Sequence, residues 1–228
     1  MRTLRVLSRL LAYPGKELFE QMTGLKEVLV EENFLKPATI AKLTAFMDQL
    51  AQDELINAQE NYVEIFDRGR AHCLHLFEHV HGESRFRGQA MLDLAERYAE
   101  KGLVIGAKEF PDYLPIFLEF ISICDPQEGL ETLAQASPVI ATIGEKLKRQ
   151  KSGYAHVFKA IVELSGARLN KADIVRAADA SLPQIKTLDE LDEQWQEPEA
   201  FGNFNGTTPD CGTCDPMPLQ RASQGAAQ

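Results

Sequence analysis

The chain has 228 residues, 44% of them hydrophobic and 25% charged, enough length and apolar content to bury one sizeable core. Its net charge of −10 and pI near 5.1 argue against nucleic acid as the main partner, because phosphate binding draws on a surplus of Lys and Arg. No stretch approaches the roughly 20 apolar residues that span a bilayer, so stable membrane insertion is not expected.

Almost every segment carries helical rather than strand periodicity. "MRTLRVLSRLLAYPG" lacks acidic residues, as a targeting peptide does, but Leu4, Leu7 and Leu11 share one helical face while Arg2, Arg5 and Arg9 share the other. It reads as an amphipathic helix stopped by Pro14-Gly15. With no export signal and no disulfide framework, the expected compartment is the cytoplasm. A second helix covers 16–32, a third opens at Pro37, and a fourth spans 54–67 with Leu55, Ala58, Tyr62 and Phe66 on one stripe. A fifth covers 84–102, with Ser84 as its N-cap and Gly102 at its C-terminal end. Further helices are predicted over about 111–124, 126–136, 138–150 and 154–165. Asp125-Pro126 and Ser137-Pro138 each place a capping side chain before a proline, which marks a helix start. The fold class is all-α, a single-domain bundle of about eight to ten helices.

The character changes past Gly166. The main domain is set at 1–166 and peripheral helices at 167–196. These include "NKADIVRAADA" and a short acidic helix opened by the capping box "TLDE" at 187–190. Acidic residues accumulate from Asp189 to Asp215, and the Pro-, Gly- and Asn-rich 197–228 is expected to be a disordered tail. "CGTC" at 211–214 lacks the strand before and the helix after that a thioredoxin-type pair needs; it reads as two incidental thiols.

The stretch "HCLHLFEHVH", 72–81, holds four of the five histidines. As one helix it would place His72, His75 and His79 within about one sixth of a turn of each other, a face able to hold zinc, copper or iron. A metal-dependent helical enzyme is therefore one reading. The remaining ligands are missing, however: a di-iron bundle needs two Glu-x-x-His pairs and only Glu78 with His81 is present, while "FEHVH" has the wrong order for a zinc protease. No nucleophile, Gly-rich phosphate loop or carboxylate pair accompanies the imidazoles. A polar face bordering a groove is preferred, with no catalytic residues, no cofactor and no metal.

Three stretches are more specific. "YVEIFDRGR" (62–70), "LFEHVHGESRFRGQAMLDL" (76–94) and "PDYLPIFLEF" (111–120) closely resemble the nitrate reductase molybdenum cofactor assembly chaperones, the delta-subunit or NarJ family. With "SRLLAYP" at the start, the resemblance covers roughly residues 1–165. It implies an all-helical, non-enzymatic cytoplasmic chaperone related to the twin-arginine leader-binding maturation chaperones. Such a protein would bind the N-terminus of the apo nitrate reductase alpha subunit, assist molybdenum cofactor insertion and prevent premature membrane docking. A peptide laid as an amphipathic helix in an apolar groove is a standard recognition mode. The expected walls are Tyr62, Phe66, Phe77, Tyr113, Phe117 and Phe120. Polar selection is expected from Asp67, Arg68, Arg70, Glu78, His79, His81, Glu83, Arg85 and Arg87, with Asp112 beside Tyr113. Core packing competes with the aromatic assignments, and an ion-pair network with Asp67, Glu78 and Glu83 competes with the arginine ones. The broader chaperone group often has Pro-Asp-His where this chain has Pro111-Asp112-Tyr113, and His72 and His75 lie outside the family pattern.

Overall fold

A computed structural model describes residues 1–81, 86–106 and 109–180, with only the backbone of His81. Ten α-helices form among them. The first, α1 (Arg2–Leu11), buries Leu4, Leu7, Leu10 and Leu11 and leaves Arg2 and Arg5 in solvent, the amphipathic split its sequence predicts. It stops where Pro14-Gly15 follows, and α2 (Lys16–Glu32) turns back along it. No side chain at Met1 caps α1; the carboxylate of Glu32 arrives from the end of α2 instead. It accepts from Arg2 N at 2.9 Å, Thr3 N at 2.6 Å and Thr3 Oγ1 at 2.7 Å. Burial opposes the Glu32 charge, but the Thr3 hydroxyl and the two amides outweigh it and hold the carboxyl below its usual range.

Pro37 opens α3 (Pro37–Gln52) at a position where its missing N–H is not needed, and α4 (Leu55–Phe66) buries Ala58, Tyr62 and Phe66. After α5 (Leu76–His81) and α6 (Phe86–Glu100), Gly102 takes φ +76 and ends the helix, as its placement predicts. Helix α7 (Leu114–Ile123) is buried over most of its length and packs on α1.

The sequence places a helix start at Ser137-Pro138; the structure runs one helix, α8 (Pro126–Arg149), straight through it. Asp125 does cap this helix, accepting from Gln127 N at 3.0 Å. Ser137 does not cap a second one. It is buried, and its hydroxyl donates to Leu133 O at 2.8 Å, a local bond that a helix interior tolerates. An interior proline costs about 3 kcal/mol or more in isolation. Packing on α9 (Ala155–Ser165) offsets that cost: Leu133, Ile140, Ile143 and Leu147 are all fully buried, facing Val157, Phe158 and Ile161. Gly144 lets the two helices close, since a Cβ there would stand 2.9 Å from Phe158 Cβ. Helix α10 (Lys171–Ala180), drawn from "NKADIVRAADA", lies against α8. Residues 181–228, including the capping box at 187–190 and Cys211 and Cys214, lie outside the described residues.

Candidate functional site

The histidine-rich stretch is not one helix. Residues Arg70–His72 make a single 3-10 turn, Cys73 is extended, and α5 begins only at Leu76. Between them His75 pairs with Tyr113 in an isolated antiparallel bridge: Leu114 N donates to Leu74 O at 2.8 Å and Leu76 N to Asp112 O at 3.0 Å. The same bridge explains why the helix predicted from 111 begins at Leu114, because Asp112 O and Leu114 N are spent on Leu76 N and Leu74 O.

This pairing carries Asp112 under the first turn of α5. Its side chain is 0% exposed and its two oxygens are engaged: Oδ1 with His75 Nδ1 at 3.1 Å, Oδ2 with Phe77 N at 3.2 Å. Arg87 of α6 stands 3.8 Å from Oδ2 and donates to Glu78 at 3.2 Å, so one guanidinium bridges two carboxylates. Asp112 thus does for α5 what Glu32 does for α1, supplying a cap from a distant segment.

The three imidazoles proposed as one metal face go different ways. His72 is buried, reaching the Ile65 carbonyl; His75 faces Asp112; His79 Nε2 donates to Cys73 O at 2.8 Å. Among the described residues no three His, Cys, Asp or Glu side chains converge on a metal position. The single-helix geometry that motivated the metal reading fails because a 3-10 turn and the bridge interrupt the stretch before α5 begins. Burial, then the Lys146 charge, push His72 and His79 below 6.5. Burial likewise lifts the Cys73 thiol to about 11, so it is no thiolate nucleophile at neutral pH.

The aromatic residues divide. Phe117 and Phe120 are core and form no wall; Phe120 stacks on Tyr98 with ring centroids 4.5 Å apart. Their i, i+3 spacing on a mostly apolar helix, with Glu119 on the exposed side, is the spacing of a buried face. Tyr62 and Phe66 are also mostly buried, 4.8 Å apart, but their edges reach a cavity of about 220 Å³ with Tyr13, Asp67, His75 and Tyr113. The Tyr62 hydroxyl donates to Leu11 O at 2.8 Å and, its own proton spent, accepts from Tyr113 at 3.1 Å. Tyr13 and Phe110, each 54% exposed, stand edge-on to Tyr62 and His75 and extend an apolar rim around the notch. Neither was anticipated from the sequence, where single aromatics in loops carry no periodic signal. Phe77, Glu78, His79 and Arg87 are half-buried, while Asp67, Arg68 and Arg70 are exposed. Glu83, Arg85 and the side chain of His81 lie outside the described residues. Lys146, in the last turn of α8, is buried and lines a cavity with Arg70 and His79.

No helix among the described residues is long and apolar enough to cross a membrane. The model of the family described as nitrate reductase delta subunit matches residues 35–160. The chain is 36% identical over 197 residues to the nitrate reductase molybdenum cofactor assembly chaperone NarJ of Escherichia coli K12, covering 86% of this chain and 83% of that protein. It is 33% identical over 222 residues to the probable nitrate reductase molybdenum cofactor assembly chaperone NarW of the same organism, covering 97% and 90%. To the probable chaperone NarJ of Bacillus subtilis it is 29% identical over 178 residues, covering 77% and 96%. A match of this length, on the helices that build the notch and the Asp112 cluster, means that the chain belongs to the nitrate reductase delta-subunit family of NarJ-type proteins.

Proposed function

We propose that this member of the family is a non-catalytic cytoplasmic chaperone that binds the N-terminal segment of the apo nitrate reductase alpha subunit. It holds that subunit while the molybdenum cofactor is inserted and keeps it from docking prematurely at the membrane. The names of the relatives support the assembly role, and the aromatic notch supports a polypeptide as the ligand. About 220 Å³ is below the 300–1,000 Å³ of ordinary small-molecule pockets. It suits one apolar side chain of a docked segment, with Tyr13 and Phe110 extending the contact and Asp67 at the rim for a basic group. Tyr113 stands half-buried at this cavity, within reach of such a guest, and Tyr62 fixes its hydroxyl. A chaperone that releases its client must prefer the unfilled enzyme and lose that preference once the cofactor closes the fold, since a ligand acts only through differential affinity.

Calorimetric titration with a synthetic peptide of the first ~15 alpha-subunit residues, the length of a short amphipathic helix, tests the reading. Saturable binding, weakened about tenfold in Tyr113→Ala and Asp67→Ala, is the expected result. No heat at high micromolar peptide overturns it.

A further inference from the structure

A second cavity, about 380 Å³, opens between the 3-10 turn, α5, α8 and α10 and shares no lining residue with the aromatic notch. Arg70, Glu78, His79, Thr142 and Lys146 line it. Lys146 is the unusual member. It is 4% exposed, its Nζ donates to Ala71 O at 3.1 Å, and among the described residues no carboxylate pairs with it. An ammonium carries three donors, so two remain for whatever enters the cavity. Buried lysines are almost always paired, because an isolated charge out of water is costly. Glu78, the one carboxylate on the wall, is already taken up by Arg87 at 3.2 Å.

The titration behaviour of the neighbours agrees. Burial lowers Lys146, and burial followed by the Lys146 charge lowers both His72 and His79. In a chain of net charge −10, two cations, Arg70 and Lys146, line this cavity with one carboxylate, Glu78.

We propose that this cavity is an oxyanion site, in which Lys146 binds the anionic group directly, with Arg70 and His79 on the surrounding wall. The shared chemistry is a compact oxyanion, a phosphate or a carboxylate group. This goes beyond the peptide-binding function and is tested without any client, so the failure of one leaves the other standing.

The full-length chain is titrated at constant ionic strength with sodium phosphate, sulfate and acetate, and the His79 imidazole and the Thr142 amide are followed by NMR. A saturable shift with a Kd of millimolar or tighter and a rise in the His79 pKa on binding are expected. Phosphate and sulfate binding more tightly than acetate assigns the group as a phosphate; acetate binding as well or better assigns a carboxylate. Lys146→Met keeps the length and loses the charge. It should weaken binding at least tenfold while leaving the melting temperature unchanged or higher, because an uncompensated buried charge has been removed. Lys146→Arg should retain binding. Unaltered affinity in Lys146→Met, or no saturable shift with any of the three anions at about 10 mM, overturns the site. Should Lys146→Met fail to fold, the rise of the His79 pKa in the unmodified chain decides alone.

Discussion

Along the α8–α9 seam, Leu133, Ile140, Ile143 and Leu147 meet Val157, Phe158 and Ile161, and every one is fully buried with no polar atom in need of a partner. Between Arg70 and Tyr113 the chain buries polar groups as well as leucines. His72 and Asp112 are enclosed just as completely as many core leucines, yet each is held by named hydrogen bonds to backbone or side chain. Hydrophobic burial is non-directional and scales with area, so the seam tolerates rearrangement provided volume is kept. A buried carboxylate is directional, and losing one partner strands the rest. The region that displays the family motif is thus the less forgiving of the two.

The sharpest test of that contrast sets Asp112→Ala against Ile143→Val. The first strands Phe77 N, His75 and Arg87 and should cost about 3–5 kcal/mol; the second should cost only about 0.5–1.5 kcal/mol. Urea denaturation measures both, and equal costs would erase the distinction. Glu32→Ala extends the same idea to α1 and should cost about 2 kcal/mol through loss of a charged cap. Because its carboxyl titrates below the usual 4.5 in the folded chain, that contribution is present above pH 4.5 and fades as pH falls through the lower, folded value. Glu32→Ala should therefore flatten the acid limb of a stability–pH curve. A weaker effect comes from His72 and His79, which burial keeps below 6.5. Protonation of such a base favours the unfolded chain, so stability should decline as pH drops from about 7.5 to 5.5. The decline should shrink in a His72→Gln, His79→Gln double variant. If the melting temperature is flat across that window in the unmodified chain, the polar cluster does not constrain the histidines as described.

Much of the helical framework was legible in the sequence, because amphipathic spacing, Pro37 at a first turn, Asp125 before Pro126 and Gly102 past the end of α6 are local signals. Pro138 misled for a physical reason: local chemistry calls for a new helix there, and the α9 contact overrides it with area that no local window contains. The histidine stretch misled likewise. Its period fits a helix, yet the bridge from Leu74 and Leu76 to Leu114 and Asp112 links residues nearly forty positions apart, beyond what spacing can reveal. Motif resemblance singles out Asp112 and Tyr113 as expected site residues without saying what each touches. The structure puts Asp112 beneath α5 and Tyr113 at the notch. Lys146 had no sequence signal, since a lysine in the last turn of a helix is ordinarily a solvent residue favoured by the helix dipole.

Helix α6 buries only Leu94 and Tyr98, and its principal neighbour among the helices is the six-residue α5. Arg87 on its first turn is one of the groups that steady Asp112. Amide protons along α6 should therefore exchange with deuterium through a low-energy opening that leaves α7 and α8 protected. Each such excursion withdraws Arg87 from Glu78 and Asp112, linking the breathing of one exposed helix to the charge balance beneath its neighbour.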